Sequence, residues 1–531
     1  MAHSTWLKQS ALLSVLTLIS RILGLVREMI KAQFLGTTVL SDAFSVAFMI
    51  PNLFRRLFAE GSIAVAFIPT FKQYLNTNDK NHIATFLSSF ITVLTVLVTV
   101  VVGSGILAAP IIVPLFGLEA YEETVLLTRL MFPFLAFISC AAFFQGILNS
   151  IYIFAPSGFA PIVLNIVTIL CAYILSPFMA NPARALAVGI LIGGFLEAAI
   201  QIPFVLKAGY LCSCINLRKA IKNPGVKRVI HLIIPTIIGM AAYQLNDLIS
   251  TVLAGNAGIG VVSSLQYSLR LQELILGVFA VSLGTVLLPE LADYAQNGDW
   301  QHYSVQLASA LRTIVLITVP ISVFSFACGE ELIRLLFQKQ SFDNDSVLLT
   351  LGAFNFHIPG IVFIAINRIV TPALYAQGDT RSPTIAGIIS LLVNMIVAVL
   401  LAGHFKGKGI AFALSFASAV NTVILFLLLK RKSVISLNSI IKSTVLYSLK
   451  IALFSGIAII PVLIFKTAAA PSLSSLHKIL RYGIPVSIGA LVCAVIGIFL
   501  LFITKDKHVR ALVRSMRKED SSPRRSSKDG K

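Results

Sequence analysis

Five arginines stand inside stretches that are otherwise apolar: Arg21, Arg27, Arg55, Arg56 and Arg270. Acids accompany them unevenly. At about 100° per residue, Arg21 and Glu28 share one helical face, and Arg27 lies about 120° from Arg21. Arg56 and Glu60 are spaced i,i+4, and Arg270 and Glu273 i,i+3, so each pair can be a plain intrahelical ion pair. Neither Arg21 nor Arg55 has a carboxylate three or four residues away along the chain; Asp42 could meet one of them across helices. In the first two apolar stretches Arg21, Arg27, Arg55 and Arg56 outnumber Glu28 and Glu60. A surplus of desolvated positive charge is tolerable where an anion comes to it. Guanidinium suits phosphate, because it never deprotonates and presents a planar fork of donors. A carrier of organic cations would need the opposite sign.

Other polar groups in apolar stretches are Gln244, Asn246, Asp247, Asn165 and Asn394. The asparagines can hydrogen-bond between helices. Asp247 needs a cation, a proton or an arginine. It lies 220 residues after Arg27, an offset that also relates Ser62 to Ser282, Pro69 to Pro289, Tyr74 to Tyr294 and Asp79 to Asp299. Opposite charges at equivalent positions of two repeats would suit a gating ion pair. No enzyme constellation is present. The chain lacks a Gly-x-x-x-x-Gly-Lys-Ser/Thr phosphate loop, which argues against ATP hydrolysis. The eight histidines show no metal spacing. Of six cysteines, four lie in apolar runs and Cys212 and Cys214 are spaced C-x-C, so neither a disulfide framework nor a zinc site is read, and no metal is expected.

The elements that must hold these charges are membrane helices. Of 531 residues 57% are hydrophobic and only 12% charged, about half the charge of an ordinary soluble domain. Fourteen stretches can cross a hydrocarbon core of ~30 Å: 8–35, 40–72, 84–116, 122–152, 158–180, 184–207, 228–254, 260–292, 302–328, 346–377, 382–402, 408–430, 444–466 and 477–504. An arginine at the centre of such a span costs roughly 2.5–3.5 kcal/mol, so it should face a bundle interior or a wet cavity. Pro51 and Pro69 in the second span, Pro133 in the fourth and Pro359 in the tenth each remove a helical hydrogen bond. The first span runs through Ser20-Arg21 and Arg27-Glu28 with no cleavage site and reads as a helix that stays.

The net charge of +20 would suggest nucleic acid in a soluble protein, but no such motif accompanies it and no nucleic-acid partner is expected. Topology explains it instead. Basic residues gather after spans 6, 12 and 14: Arg218, Lys219 and Lys222, then Lys430, Arg431 and Lys432, then a tail from Lys505. All three follow even-numbered spans and share one side. The positive-inside rule makes that side, and both termini, cytoplasmic. The same clusters divide the chain into an N-lobe over 1–210, an amphipathic cytoplasmic linker over 211–227 with a short helix at 215–222, a C-lobe over 228–432, two further helices over 433–504 and a basic tail over 505–531. The tail and linker should meet anionic membrane lipids. The expected fold class is therefore an all-α polytopic membrane protein of 14 transmembrane helices: two pseudo-symmetric six-helix lobes, related by an axis along the membrane normal, plus two C-terminal helices.

Three motifs carry a resemblance. Ser20-Arg21-Ile22-Leu23-Gly24-Leu25-Val26-Arg27-Glu28 is similar to the first-helix motif of the MurJ (MviN) family of lipid II flippases. Ser41-Asp42-Ala43-Phe44 with Pro51-Asn52-Leu53-Phe54-Arg55-Arg56-Leu57-Phe58-Ala59-Glu60-Gly61 resembles the second helix, and Leu283-Gly284-Thr285-Val286-Leu287-Leu288-Pro289 the eighth. The resemblance implies a member of the MOP exporter superfamily that flips undecaprenyl-pyrophosphate-linked peptidoglycan precursor, lipid II, from the cytoplasmic to the periplasmic leaflet of the bacterial inner membrane, without being an enzyme. It implies Arg21, Arg27, Arg55 and Arg270 as substrate-binding residues, with Asp42, Arg56, Glu60, Glu28 and Glu273 supporting or gating. It further implies a lipid-tail groove in the last two helices, and cell-wall synthesis proteins as partners. Some members of the family bind sodium, which would make Asp247 and Asn394 a site for Na+ or another monovalent coupling cation, although Ala398 stands one turn after Asn394 where a second acid is expected. The alternatives are an exporter of another polyprenyl-linked oligosaccharide and a non-transporting membrane scaffold acting through its basic tail.

Overall fold

The computed structural model describes residues 2–57, 66–77, 79–210, 213–430 and 437–511. Every element in them is helical. The chain runs α1 (Ala2–Leu35), α2 (Val39–Arg55), α3 (Ile68–Asn76), α4 (Lys80–Ile112), α5 (Tyr121–Met131), α6 (Phe134–Ser150), α7 (Ala155–Leu175), α8 (Pro182–Ala199), α9 (Ile202–Lys207) and α10 (Leu217–Lys222). It continues as α11 (Pro224–Ala257), α12 (Val261–Gln296), α13 (Trp300–Leu336), α14 (Asn344–Ala376), α15 (Arg381–Lys430), α16 (Leu437–Leu473) and α17 (Lys478–Ile503). Each of the fourteen expected spans falls on these helices, with part of the second outside the described residues. Among the described residues nine helical segments are long and apolar enough to cross a membrane.

Departures from one helix per span have local causes. The fourth span breaks into α5 and α6 at Pro133, which cannot donate the helical hydrogen bond. Spans 11 and 12 run together as α15, interrupted at Lys406, where φ is 51° and ψ −133°. The short amphipathic helix expected at 215–222 is α10. Its Leu217 and Ile221 are exposed one turn apart, beside Arg218, Lys219 and Lys222. On α17 Leu491, Val495, Ile498 and Phe502 form one exposed stripe, a face that only lipid would cover at no cost.

By packing, the chain divides into two compact units that cut across the lobes expected from loop charge. The first comprises the chain up to Tyr267 with Phe337–Thr350 and Met395–Ile410; the second comprises Ser268–Leu336, Leu351–Asn394 and the chain from Ala411. Within the first, Phe67, Phe71, Phe86, Phe90 and Phe143 stack as one aromatic block joining α3, α4 and α6, with the Phe67 and Phe90 rings 4.8 Å apart. Such a block, fully buried, is a rigid support for the helices around it. Within the second, α13, α16 and α17 pack around Cys328, Ile459 and Val462. Gly489 lets α17 close on Val462. Where α13 kinks at Cys328, the Lys466 ammonium reaches Glu331 at 2.7 Å and the freed Ala327 carbonyl at 3.3 Å. An apolar cleft among these three helices is lined by Pro320, Phe324, Phe454 and Leu501.

Candidate anion site and the latch beside it

The charged residues of α1 follow one another along its second half. Arg21 is exposed, and the helix is pinned beside it by Asn165 of α7, whose amide donates to the Ser20 carbonyl at 3.3 Å. The next two cations share one acid. Glu28 Oε1 stands 3.2 Å from Arg27 Nη2, and Glu28 Oε2 stands 3.2 Å from Lys31 Nζ. One carboxylate thus answers two positive charges.

On α2, Arg55 Nε donates to Asn52 Oδ1 at 2.7 Å, an in-helix bond that orients the guanidinium. Arg56 meets Asp247 of α11, Nη1 to Oδ2 at 3.6 Å, with the two side chains 34% and 45% exposed. This changes two expectations. The cation that Asp247 needs is an arginine, and it is Arg56; Arg27 is engaged by its neighbour Glu28 instead, so the two offset-related positions do not form the gating pair. Glu60, the in-helix partner expected for Arg56, lies outside the described residues. In the second unit, Arg270 and Glu273 form the expected i,i+3 pair at 3.2 Å, with side chains 33% and 61% exposed.

Asp42 does not pair with Arg21 or Arg55. It is 2% exposed, and it caps another helix. The residue before α12 is Gly260, which has no side chain with which to satisfy the first amides of the helix. Asp42 supplies the missing acceptor from α2: Gly260 N–H donates to Oδ2 at 2.6 Å and Ser263 N–H to Oδ1 at 2.8 Å. A carboxylate at a helix N-terminus also meets the positive end of the helix dipole.

Around this cap the first unit closes tightly. Tyr267, fully buried on α12, donates to the Gly36 carbonyl at 3.2 Å and touches Ser41 Oγ at 3.4 Å. Lys31, its side chain 6% exposed, lies 3.3 Å from Gln266 Oε1, 3.5 Å from Ser45 Oγ and 4.7 Å above the Tyr267 ring. Gln33 donates to Gln340 Oε1 at 2.8 Å and accepts Ser341 N–H on its carbonyl, and Thr37 Oγ1 meets Ser346 Oγ at 2.8 Å. Gly36 is required twice over: its φ is 58°, and a β-carbon there would stand 2.1 Å from the Ser341 carbonyl oxygen. We call this set of contacts the latch. Sequence reading missed Lys31 and Tyr267. A lysine on the turn after Arg27-Glu28 was the available signal; Tyr267 offered none.

The residues suggested for a coupling cation fall in different units, Asp247 in the first and Asn394, buried, in the second. The Asp247 carboxylate already faces a guanidinium, and one turn beyond Asn394 stands the buried Ala398, which has no donor atom.

Comparison with known proteins agrees with this architecture. Residues 31–503 match the family model described as lipid II flippase MurJ. A probable lipid II flippase MurJ of Treponema pallidum is 44% identical over 522 residues, covering 97% of this chain and 99% of that protein. Among solved structures, a lipid II flippase MurJ in an inward closed conformation superposes with a TM-score of 0.76 at 24% identity, covering 93% of this chain and 99% of that one. An inward-facing multidrug transporter of the MATE family and MOP superfamily superposes with a TM-score of 0.64 at 13% identity, covering 80% and 96%, so the fold extends beyond one substrate class. With its multi-pass helices and a family match spanning most of its length, the chain belongs to the MurJ family of lipid II flippases.

Proposed function

We propose that this chain carries lipid II from the cytoplasmic to the outer leaflet of the bacterial inner membrane by alternating access, with Arg21, Arg27, Arg55 and Arg270 receiving the pyrophosphate. The observation that carries the reading is the division of Glu28 between Arg27 and Lys31. Along the second half of α1, Arg21, Arg27 and Lys31 stand beside the one acid Glu28. A diphosphate brings negative charge to such a row and matches the guanidinium fork.

The loop charges support an orientation with both termini in the cytoplasm, in which the latch lies on the outer side. Closed there, the protein would admit a headgroup from the inner side, bind it, and release it when the latch parts and the inner side closes. The polyprenyl chain has no need to leave the lipid. The apolar cleft among α13, α16 and α17 and the exposed stripe of α17 give it an apolar path. The basic faces of α10 and of the segment after α17 would rest on anionic lipid. Cell-wall synthesis proteins would supply and consume the substrate on either side.

The test is a leaflet-resolved assay of lipid II in cells depleted of the protein and supplied with variants at normal expression. Depletion should trap lipid II in the inner leaflet. Full restoration by Arg21→Ala and Arg55→Ala would overturn the assignment of these residues.

A further inference from the structure

We propose that Lys31 is a positioning residue that couples occupancy of the arginine site to the outer latch. This rests on the reading of Arg27 as an anion ligand.

The contacts form an unbroken chain. Arg27 Nη2 touches one oxygen of Glu28, Lys31 Nζ touches the other, and the same Nζ reaches Gln266 Oε1 and covers the Tyr267 ring on α12. One end, Arg27, is partly accessible, and the other, Tyr267, is fully buried in the latch. The ammonium is therefore divided between an acid of the binding site and the first turns of the helix that the latch holds.

Charge arithmetic gives the direction. A diphosphate arriving at Arg27 competes with Glu28 for the same guanidinium, and two anions do not share one fork closely. Glu28 then leans on its second cation, Lys31. As the ammonium moves toward the carboxylate it leaves Gln266 and Tyr267, and α12 loses a buried, charge-assisted contact. Asp42 loses a nearby positive charge at the same time. Binding thus weakens the latch at the moment the site is filled. In the empty protein the same lysine keeps it shut. A ligand can shift this balance only because it interacts differently with the two arrangements, and competition for Arg27 supplies that difference. The signal travels within five neighbouring side chains and needs no change in the bulk of the fold.

The amides of Gly260 and Ser263, bonded to Asp42, report on the latch. Hydrogen exchange over the first turns of α12 can be followed by mass spectrometry on the full chain in nanodiscs, loaded with undecaprenyl diphosphate or with undecaprenol, which lacks the diphosphate. The parent should exchange faster with the diphosphate than with the alcohol. Lys31→Met should exchange faster with either lipid, on the order of tenfold, equivalent to ~1.4 kcal/mol, and should lose the distinction between them. Lys31→Arg, which keeps the charge, should retain it. A merely structural lysine would raise exchange in Lys31→Met but leave the lipid response intact, and that result overturns the coupling. So does unchanged exchange in Lys31→Met. Retention of radiolabelled undecaprenyl diphosphate by the parent separates the two readings. Lipid bound without a change in exchange refutes the relay alone, whereas no retention refutes the anion site and the relay with it.

Discussion

Asp42 on α2 accepts the Ser263 amide of α12 at 2.8 Å, so a helix beginning more than two hundred residues later takes its N-terminal cap from the second helix of the chain. Asp42→Ala leaves the first amides of α12 buried without an acceptor. Loss of a cap costs about 0.5–2 kcal/mol. Asp42→Asn keeps one acceptor oxygen and should cost less. Thermal unfolding of the purified variants, with hydrogen exchange at Gly260 and Ser263, should rank them parent, Asn, Ala. Equal exchange in all three would mean that the cap does not hold α12.

Thr37 and Ser346 bring their hydroxyls to 2.8 Å across the latch. Cysteines at both positions should oxidise to a disulfide. If the latch must part for each headgroup released outside, the oxidised protein should stop flipping and a reductant should restore it. Flipping that survives complete cross-linking would show that the headgroup leaves elsewhere.

Among the arginines, substitution should act on transport more than on folding. A hydrogen bond to a charged group contributes roughly 1.5–3 kcal/mol, so Arg21→Ala and Arg55→Ala should each lower diphosphate-lipid affinity by about ten- to a hundredfold. Arg55→Lys keeps the charge and loses the fork, and should fall between. Arg270, paired in-helix with the exposed Glu273, should lose less on removal. Affinities measured beside unfolding temperatures separate the two effects.

Beyond the last span, His508 is buried against Thr313 and Tyr447, and Asp506 caps the turn that carries it and binds Lys450. Burial holds the imidazole pKa below its ordinary value; Arg312 adds to this and Asp506 opposes it. The sign follows from proton counting. The unfolded chain takes up a proton near pH 6.5 that the folded protein resists, so stability should fall as pH drops from about 7.5 toward 5. His508→Gln should flatten that slope. For Asp506 burial raises the pKa, but Lys450 and the amides of Val509 and His508 outweigh it and leave the carboxyl low. Its contribution therefore holds throughout this range and fails only in stronger acid.

The same anchor decides where the tail can be cut. Removal of residues 512–531 should leave lipid II flipping largely intact, whereas a scaffold working through its basic tail would lose its function. Removal from Asp506 onward also strips Lys450 of its partner and should lower the unfolding temperature. Comparison of the two truncations distinguishes a lost partner from a lost anchor.

Most of the architecture was legible because each span is a long apolar run, and because proline and loop charge mark its breaks. The division of α5 from α6 could be read at Pro133, and the linker helix at its alternating Leu-Arg-Lys-Ala-Ile-Lys. The arginines were legible as a cost that must be met. Their partners were not, since Arg56–Asp247 and Asp42–Ser263 join residues that no helical period relates. In-helix spacing found Arg270–Glu273 correctly and could say nothing of Asp42. A lysine toward a span end ordinarily snorkels to the headgroups, so sequence alone does not single out Lys31; the packing of α12 shows it turned inward. The packing units also depart from the lobe boundaries, because loop charge records topology and not which helices touch.

Gly36 lies against the Ser341 carbonyl so closely that no side chain fits between the two strands of backbone. A bacterial membrane stores energy as an ion gradient, and a protein with a wet, charged interior is a standing hazard to it. At Gly36 two main chains meet directly with no side chain between them. Even Gly36→Ala would wedge the contact open. Its first symptom would then be electrical: a membrane that loses potential through a protein that still binds its lipid.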